Sequence, residues 1–201
     1  MKTTLYFLIS LLSLATLSAF AQQIGATALP LSTTRIGLEA GGYFNRGAST
    51  GAFVRAMRNF GTRNAFELGA GGATGDRGSR ALMAVRREVM REDIHAPSMS
   101  LRFSGESYGD SELSRRNAAG LGLLVSKGFV AGHQEFYSFL QPRMQVAAES
   151  ASNEFVMVSA LTMGVNANLG SRSRPWIASL EYDQGLENAG SSFMIGIATD
   201  L

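Results

Sequence analysis

Along most of this chain, residues two apart share a character. In 35–45, Ile36, Leu38, Ala40, Gly42 and Phe44 fall on one face, and Arg35, Gly37, Glu39, Gly41, Tyr43 and Asn45 on the other. The same period separates Met99, Leu101 and Phe103 from Ser98, Ser100, Arg102, Ser104 and Glu106. It separates Trp176, Ala178, Leu180 and Tyr182 from Ile177, Ser179, Glu181 and Asp183. It also separates Phe193, Ile195, Ile197, Thr199 and Leu201 from Ser192, Met194, Gly196, Ala198 and Asp200. A period of two belongs to the β-strand, whose successive side chains point to opposite faces. Weaker alternation places further strands near 51–60, 64–74, 79–91, 118–129, 136–149 and 154–169. The expected fold is all-β: a closed antiparallel up-and-down transmembrane barrel of ten strands. Eight strands is the alternative, if two weak segments are loops. The segment 79–91 also reads as a short helix.

The start of the chain is an address. Lys2 precedes an uncharged apolar run that ends at Ala19-Phe20-Ala21, a small-x-small cleavage pattern. Residues 1–21 therefore read as a secretory signal peptide and 22–201 as a single barrel domain. The chain has no Cys, which excludes a lipoprotein anchor, a disulfide scaffold, a zinc–thiolate site and a Cys nucleophile. No second long apolar run is present, so the mature chain is either a soluble exported protein or a barrel. A formal net charge of +2 is too small for nucleic-acid binding by bulk charge, and 45% hydrophobic residues exclude a disordered chain.

Three details favour a membrane barrel over a soluble sandwich, which would also alternate. The polar faces carry Arg35, Glu39, Arg55, Glu67, Arg80, Arg86, Glu88, Arg102, Glu106, Arg143, Glu149, Glu181 and Asp183, mixed with Gly and Ser. Six arginines against seven acids make a crowded, near-neutral lumen that can pair with itself, in a barrel narrow enough to be filled by side chains. Aromatics sort to two levels when the N-terminus is placed in the periplasm. Phe60, Phe66, Phe129 and Trp176 fall at periplasmic strand ends, and Phe44, Phe103, Phe155, Tyr182 and Phe193 at outer ends, as two interfacial girdles would. Finally, Arg58, Arg87 and Lys127 on the apolar face fall near the periplasmic interface. At the midplane each would cost about 2–4 kcal/mol, but near the interface each can snorkel.

A signal peptide, alternating strands and the final segment FMIGIATDL resemble small bacterial outer-membrane barrels of the OmpA/OmpX kind. The resemblance implies insertion by the barrel assembly machinery and contact with outer-membrane lipid and lipopolysaccharide. It also implies an outer-membrane location and a monomer. The last residue is Leu201, where that family usually has an aromatic.

Little in the sequence points to catalysis. His95 and His133, the two histidines, fall in expected periplasmic turns. The His-x-Ser pair that lipid A deacylases of this shape share is missing. Gly69–Gly75 lacks dinucleotide-loop spacing and reads as a Gly-rich strand entering a turn, as do Gly120 and Gly122. Glu181, Asp183 and Glu187 lack the pattern of a calcium loop. No metal, no cofactor and no nucleic acid are expected. Asp110, Glu112, Arg115 and Arg116 read as a charged tip of the longest outer loop, where lipopolysaccharide phosphates or a surface partner would be met. The expected role is non-enzymatic and structural or surface-interacting. The alternative is a small passive channel; a lipid-modifying enzyme comes third and a soluble periplasmic β-protein fourth.

Overall fold

The computed structural model describes residues 34–44, 49–74, 78–111, 114–150, 152, 154–169 and 176–201. They form ten strands: β1 (Thr34–Phe44), β2 (Ser49–Phe60), β3 (Asn64–Ala73), β4 (Ser79–Met90), β5 (Ser98–Ser111), β6 (Ser114–Ala131), β7 (Gln134–Glu149), β8 (Phe155–Asn168), β9 (Trp176–Glu187) and β10 (Ser191–Asp200). Each pairs antiparallel with its sequence neighbours, and β1 closes the ring on β10 with Arg35 opposite Asp200 and Phe44 opposite Ser191. Closure leaves no unpaired strand edge. The eight-strand alternative and the helical reading of 79–91 are both overturned. β4 is hydrogen-bonded along its length to β3 on one side and β5 on the other. The signal-peptide reading of 1–21 lies outside the described residues, as do Asn45 and Glu112.

The alternation sorts side chains as a closed wall requires. Arg35, Glu39, Arg55, Glu67, Arg102 and Glu106 are buried inside the ring, while Ile36, Leu38, Val54, Leu68, Met83, Ile195 and Ile197 are exposed outside it. The interior is not only ionic. Phe53 packs with Leu82 and Ala84, Phe139 with Leu124, and Val158 with Ala118 and Ala147. Small inward residues on neighbouring strands make room for these rings. A Cβ at Gly69 would overlap the Phe53 ring, and one at Gly164 would overlap the Phe139 ring.

The wall is uneven in height. β5, β6, β7 and β8 have 14, 18, 16 and 14 residues, whereas the other strands have 10 to 12. This height corrects the expected long outer loop. Ser107–Ser111 and Ser114–Asn117 continue the β5–β6 ladder, with Tyr108 opposite Arg116 and Gly109 opposite Arg115. One aromatic placement changes for the same reason. β5 runs on to Ser111, so Phe103 lies within its strand rather than at its outer end, whereas Tyr182 stands directly opposite Phe193.

Candidate functional site

Every inward face of the ring delivers polar groups to one shared interior, and most charges meet a partner from another strand. On one side, Arg55 on β2 reaches Glu39 on β1 and Glu67 on β3, each at 3.0 Å. Glu67 also accepts two bonds from Arg102 on β5, both 3.1 Å. Four strands are thereby linked through one chain of alternating charge. On the other side, Glu106 on β5 accepts from Arg80 on β4 at 2.8 Å and lies 3.4 Å from Arg143 on β7. Arg143 is also ion-paired with Asp183 on β9, and Asp183 accepts from Thr162 on β8 at 2.8 Å. Gln145 donates to Glu106 at 3.1 Å. A bidentate Arg–carboxylate pair fixes orientation as well as charge, so these networks brace the ring from within.

The remaining charges of the sequence reading take varied places. Glu149 pairs with Arg116 at 3.2 Å. Glu88 pairs at 3.3 Å with Arg91, just beyond β4 at the rim. Arg86 stands opposite Arg102 in the β4–β5 ladder. Glu181 lies on the inward side of β9, two residues before Asp183. Arg35 pairs with Asp200, donating at 2.8 Å through a second nitrogen. Asp183 is thus engaged by Arg143 and Thr162, and among the described residues no His/Asp/Glu cluster is arranged to hold a metal.

Sequence reasoning missed several interior groups, Gln141 and Gln145 among them. Arg116 was assigned to the loop tip, yet it is buried. Asp200, Thr162 and Asn166 were left out of the lumen charges and polar groups. For Arg116 the signal was present: Ala118, Gly120 and Leu124 face inward, and the same parity carried back by one step reaches Arg116.

Beside and below the Asp183 pair, three polar side chains of β7 and β8 are fully buried. Asn166 is 0% exposed, Gln141 1% and Thr162 2%. These three side chains are packed against their neighbours on the inner wall. Above them, a cavity of about 70 Å³ is lined by Tyr43, Tyr108, Phe53, Arg80, Arg143 and Asp183 among others. The β9–β10 turn folds over this end. Arg116 donates to the Asn188 carbonyl at 2.8 Å, Asn188 donates to Met157 at 2.9 Å, and Ala189 packs on the Ala118–Ala147–Val158 cluster. Asn188 adopts a φ of 50°, a left-handed conformation that Asn tolerates better than most residues.

Outside the ring, Phe129 stacks on Phe136 with centroids 5.1 Å apart, beside the β6–β7 turn at the rim that also holds both ends of the barrel strands. Phe60, Phe66 and Trp176 lie toward the same rim, and Phe44, Phe155 and Phe193 toward the other. Lys127 points outward and donates to the Asp93 and Ile94 carbonyls at 3.2 and 2.7 Å. Arg58 and Arg87 also face outward near that rim. In the turn 91–97, Asp93 accepts the His95 and Ala96 amides, which hold its carboxyl below the usual range. Partial burial pushes the Glu92 carboxyl up to about 7; the Lys127 ammonium opposes this and Asp93 adds to it. His95 and His133 are exposed in turns at this rim, away from the interior networks.

Together these features define a ten-stranded closed antiparallel β-barrel, apolar outside and ion-paired inside. The sequence matches no protein-family profile and no curated protein. Among solved structures, the chain is similar to an outer membrane channel from Pseudomonas putida F1, with 9% sequence identity and a TM-score of 0.49. That similarity covers 89% of this chain and 99% of the channel's.

Proposed function

We propose that this protein is an integral outer-membrane barrel with a closed, ion-paired interior and a structural or surface-interaction role, neither an enzyme nor a passive pore. The observation that carries the reading is the inversion of polarity across the wall. Leu38, Val54, Leu68, Met83, Met144 and Ile195 are about half exposed on the outside, while Arg35, Glu39, Arg55, Glu67, Arg102 and Glu106 are buried on the inside. A water-soluble barrel needs the reverse, because contiguous exposed apolar surface beyond a few hundred Å² drives association. Hydrocarbon around the wall removes that penalty, and the closed ladder satisfies the backbone there.

The two levels of aromatic rings and the outward cations near one rim support the same reading. In it the chain is exported, inserted by the barrel assembly machinery and surrounded by outer-membrane lipid and lipopolysaccharide as a monomer. The packed layer at Gln141, Thr162 and Asn166 supports closure over conduction. Membrane fractionation tests the first half: the protein should sediment with envelopes and need detergent for release. Planar-bilayer recording tests the second, where a steady large conductance would refute closure.

A further inference from the structure

The outer wall is not uniform. Across β4 to β8 one row of outward residues reads Met83, Gly105, Ala119, Val146 and Met157, with Gly105 paired to both Met83 and Ala119. The two smallest residues lie in the middle of that row. The result is an apolar hollow with Gly105 and Ala119 at its floor and Met83, Phe103, Met144 and Met157 around it. Its walls are strongly exposed: Met83 and Met144 are each 57% accessible and Phe103 56%.

A polar ledge overhangs this hollow on the side away from the chain ends. Ser107 lies two residues beyond Gly105 on β5, about 7 Å along the strand. Arg115 points outward there and donates through Nε to Ser107 Oγ at 2.8 Å and through Nη1 to Ser79 Oγ at 3.0 Å. Ser107 in turn donates to Asn117 Oδ1 at 2.7 Å. Among the described residues Arg115 forms no ion pair, unlike the interior arginines Arg35, Arg55, Arg80, Arg102, Arg116 and Arg143. Two serines therefore hold a guanidinium that, among the described residues, meets no carboxylate, at the head of an apolar groove.

We propose that this groove binds one phosphorylated, multiply acylated lipid of the outer leaflet, with an acyl chain in the Gly105–Ala119 hollow and a phosphate on Arg115. The charge and the order of the two parts fit such a lipid. Its phosphate precedes its chains along the bilayer normal, as Arg115 precedes the hollow along the wall. Guanidinium favours phosphate because its planar donors match the oxygens. Unbranched Met side chains adapt to a flexible chain. This inference rests on the membrane reading above.

The test uses the full-length protein purified in detergent, mixed with bis-phosphorylated lipid A and examined by native mass spectrometry. Dephosphorylated lipid A and phosphatidylglycerol are the competitors. The expected result is retention of one lipid A, at least about tenfold over the dephosphorylated form, the equivalent of one charge-assisted bond. Arg115→Ala should remove that preference. Gly105→Leu should reduce retention of all three lipids by filling the hollow. It should still fold, since a Cβ at Gly105 meets only Met83 Cγ, at 3.5 Å, and heat-modifiable gel mobility checks this. Equal retention of both lipid A forms, unchanged retention in both variants, or a protein dimer occupying the face would overturn the proposal while the membrane reading stands. A protein that stays in the aqueous fraction without detergent would overturn both.

Discussion

The guanidinium carbon of Arg80 lies 5.4 Å from the centroid of the Phe53 ring. That of Arg55 lies 5.6 Å from the same ring. Arg55 belongs to the Glu39–Arg55–Glu67–Arg102 network, and Arg80 to the Glu106–Arg143–Asp183 network. One aromatic side chain thus joins the two ionic halves of the interior, seated over Gly69 and Gly71 of the neighbouring strand. Phe53→Ala should destabilise the barrel by about 3–5 kcal/mol, the cost of emptying a buried aromatic site. Phe53→Leu keeps most of the bulk and loses only the two cation–π contacts, so it should cost less. Urea unfolding in lipid vesicles, followed by the fluorescence of the single tryptophan, Trp176, would measure both.

Glu67 lies between Arg102 and Arg55, the second of which also pairs with Glu39. Glu67→Ala removes the bidentate partner of buried Arg102 and one of the two partners of Arg55, and should cost about 3–5 kcal/mol. Glu88→Ala removes a rim pair whose Arg91 side chain is 64% exposed, and should cost no more than about 1 kcal/mol. The same unfolding assay compares them. Equal losses would mean that the interior network contributes nothing special.

Adjacent glycines on β3 should respond oppositely to an added methyl group. At Gly71 a Cβ would overlap the Ala52 carbonyl and approach Phe53 Cδ2 to 2.7 Å, whereas at Gly72 it meets nothing nearer than the Gly78 carbonyl at 3.9 Å. Gly71→Ala should lower the folded yield in vesicles, and Gly72→Ala should leave it unchanged.

The turn 91–97 should loosen as pH rises through neutrality. Its Glu92 carboxyl is raised from 4.5 to about 7. The protonated form is thus the one the folded turn prefers. That contribution is complete below about 4.5 and is lost as pH rises through about 7. Hydrogen exchange at 91–97 should be faster at pH 8 than at pH 6, beyond the intrinsic base dependence measured on an unfolded peptide. Glu92→Gln should abolish that excess.

Much of this protein comes from the period of two in its sequence. Alternation fixed which side chains share a face, and therefore that Arg55 and Glu67 point away from Val54 and Leu68. It did so because strand geometry is local: each peptide turns its neighbour's side chain to the other side. Strand ends were less legible. The polar run Ser107–Asn117 looks like a loop, and only its pairing on the β5–β6 ladder shows that the wall continues there, after which the parity of β6 turns Arg116 inward. Partner choice was not legible at all. Arg35 meets Asp200 from the opposite end of the chain, and Arg143 bridges Glu106 and Asp183 across three strands. These pairings depend on ring closure and on the stagger between strands, which set the relative height of side chains distant in sequence. Alternation sets the side of the wall, and closure sets which charges meet across it.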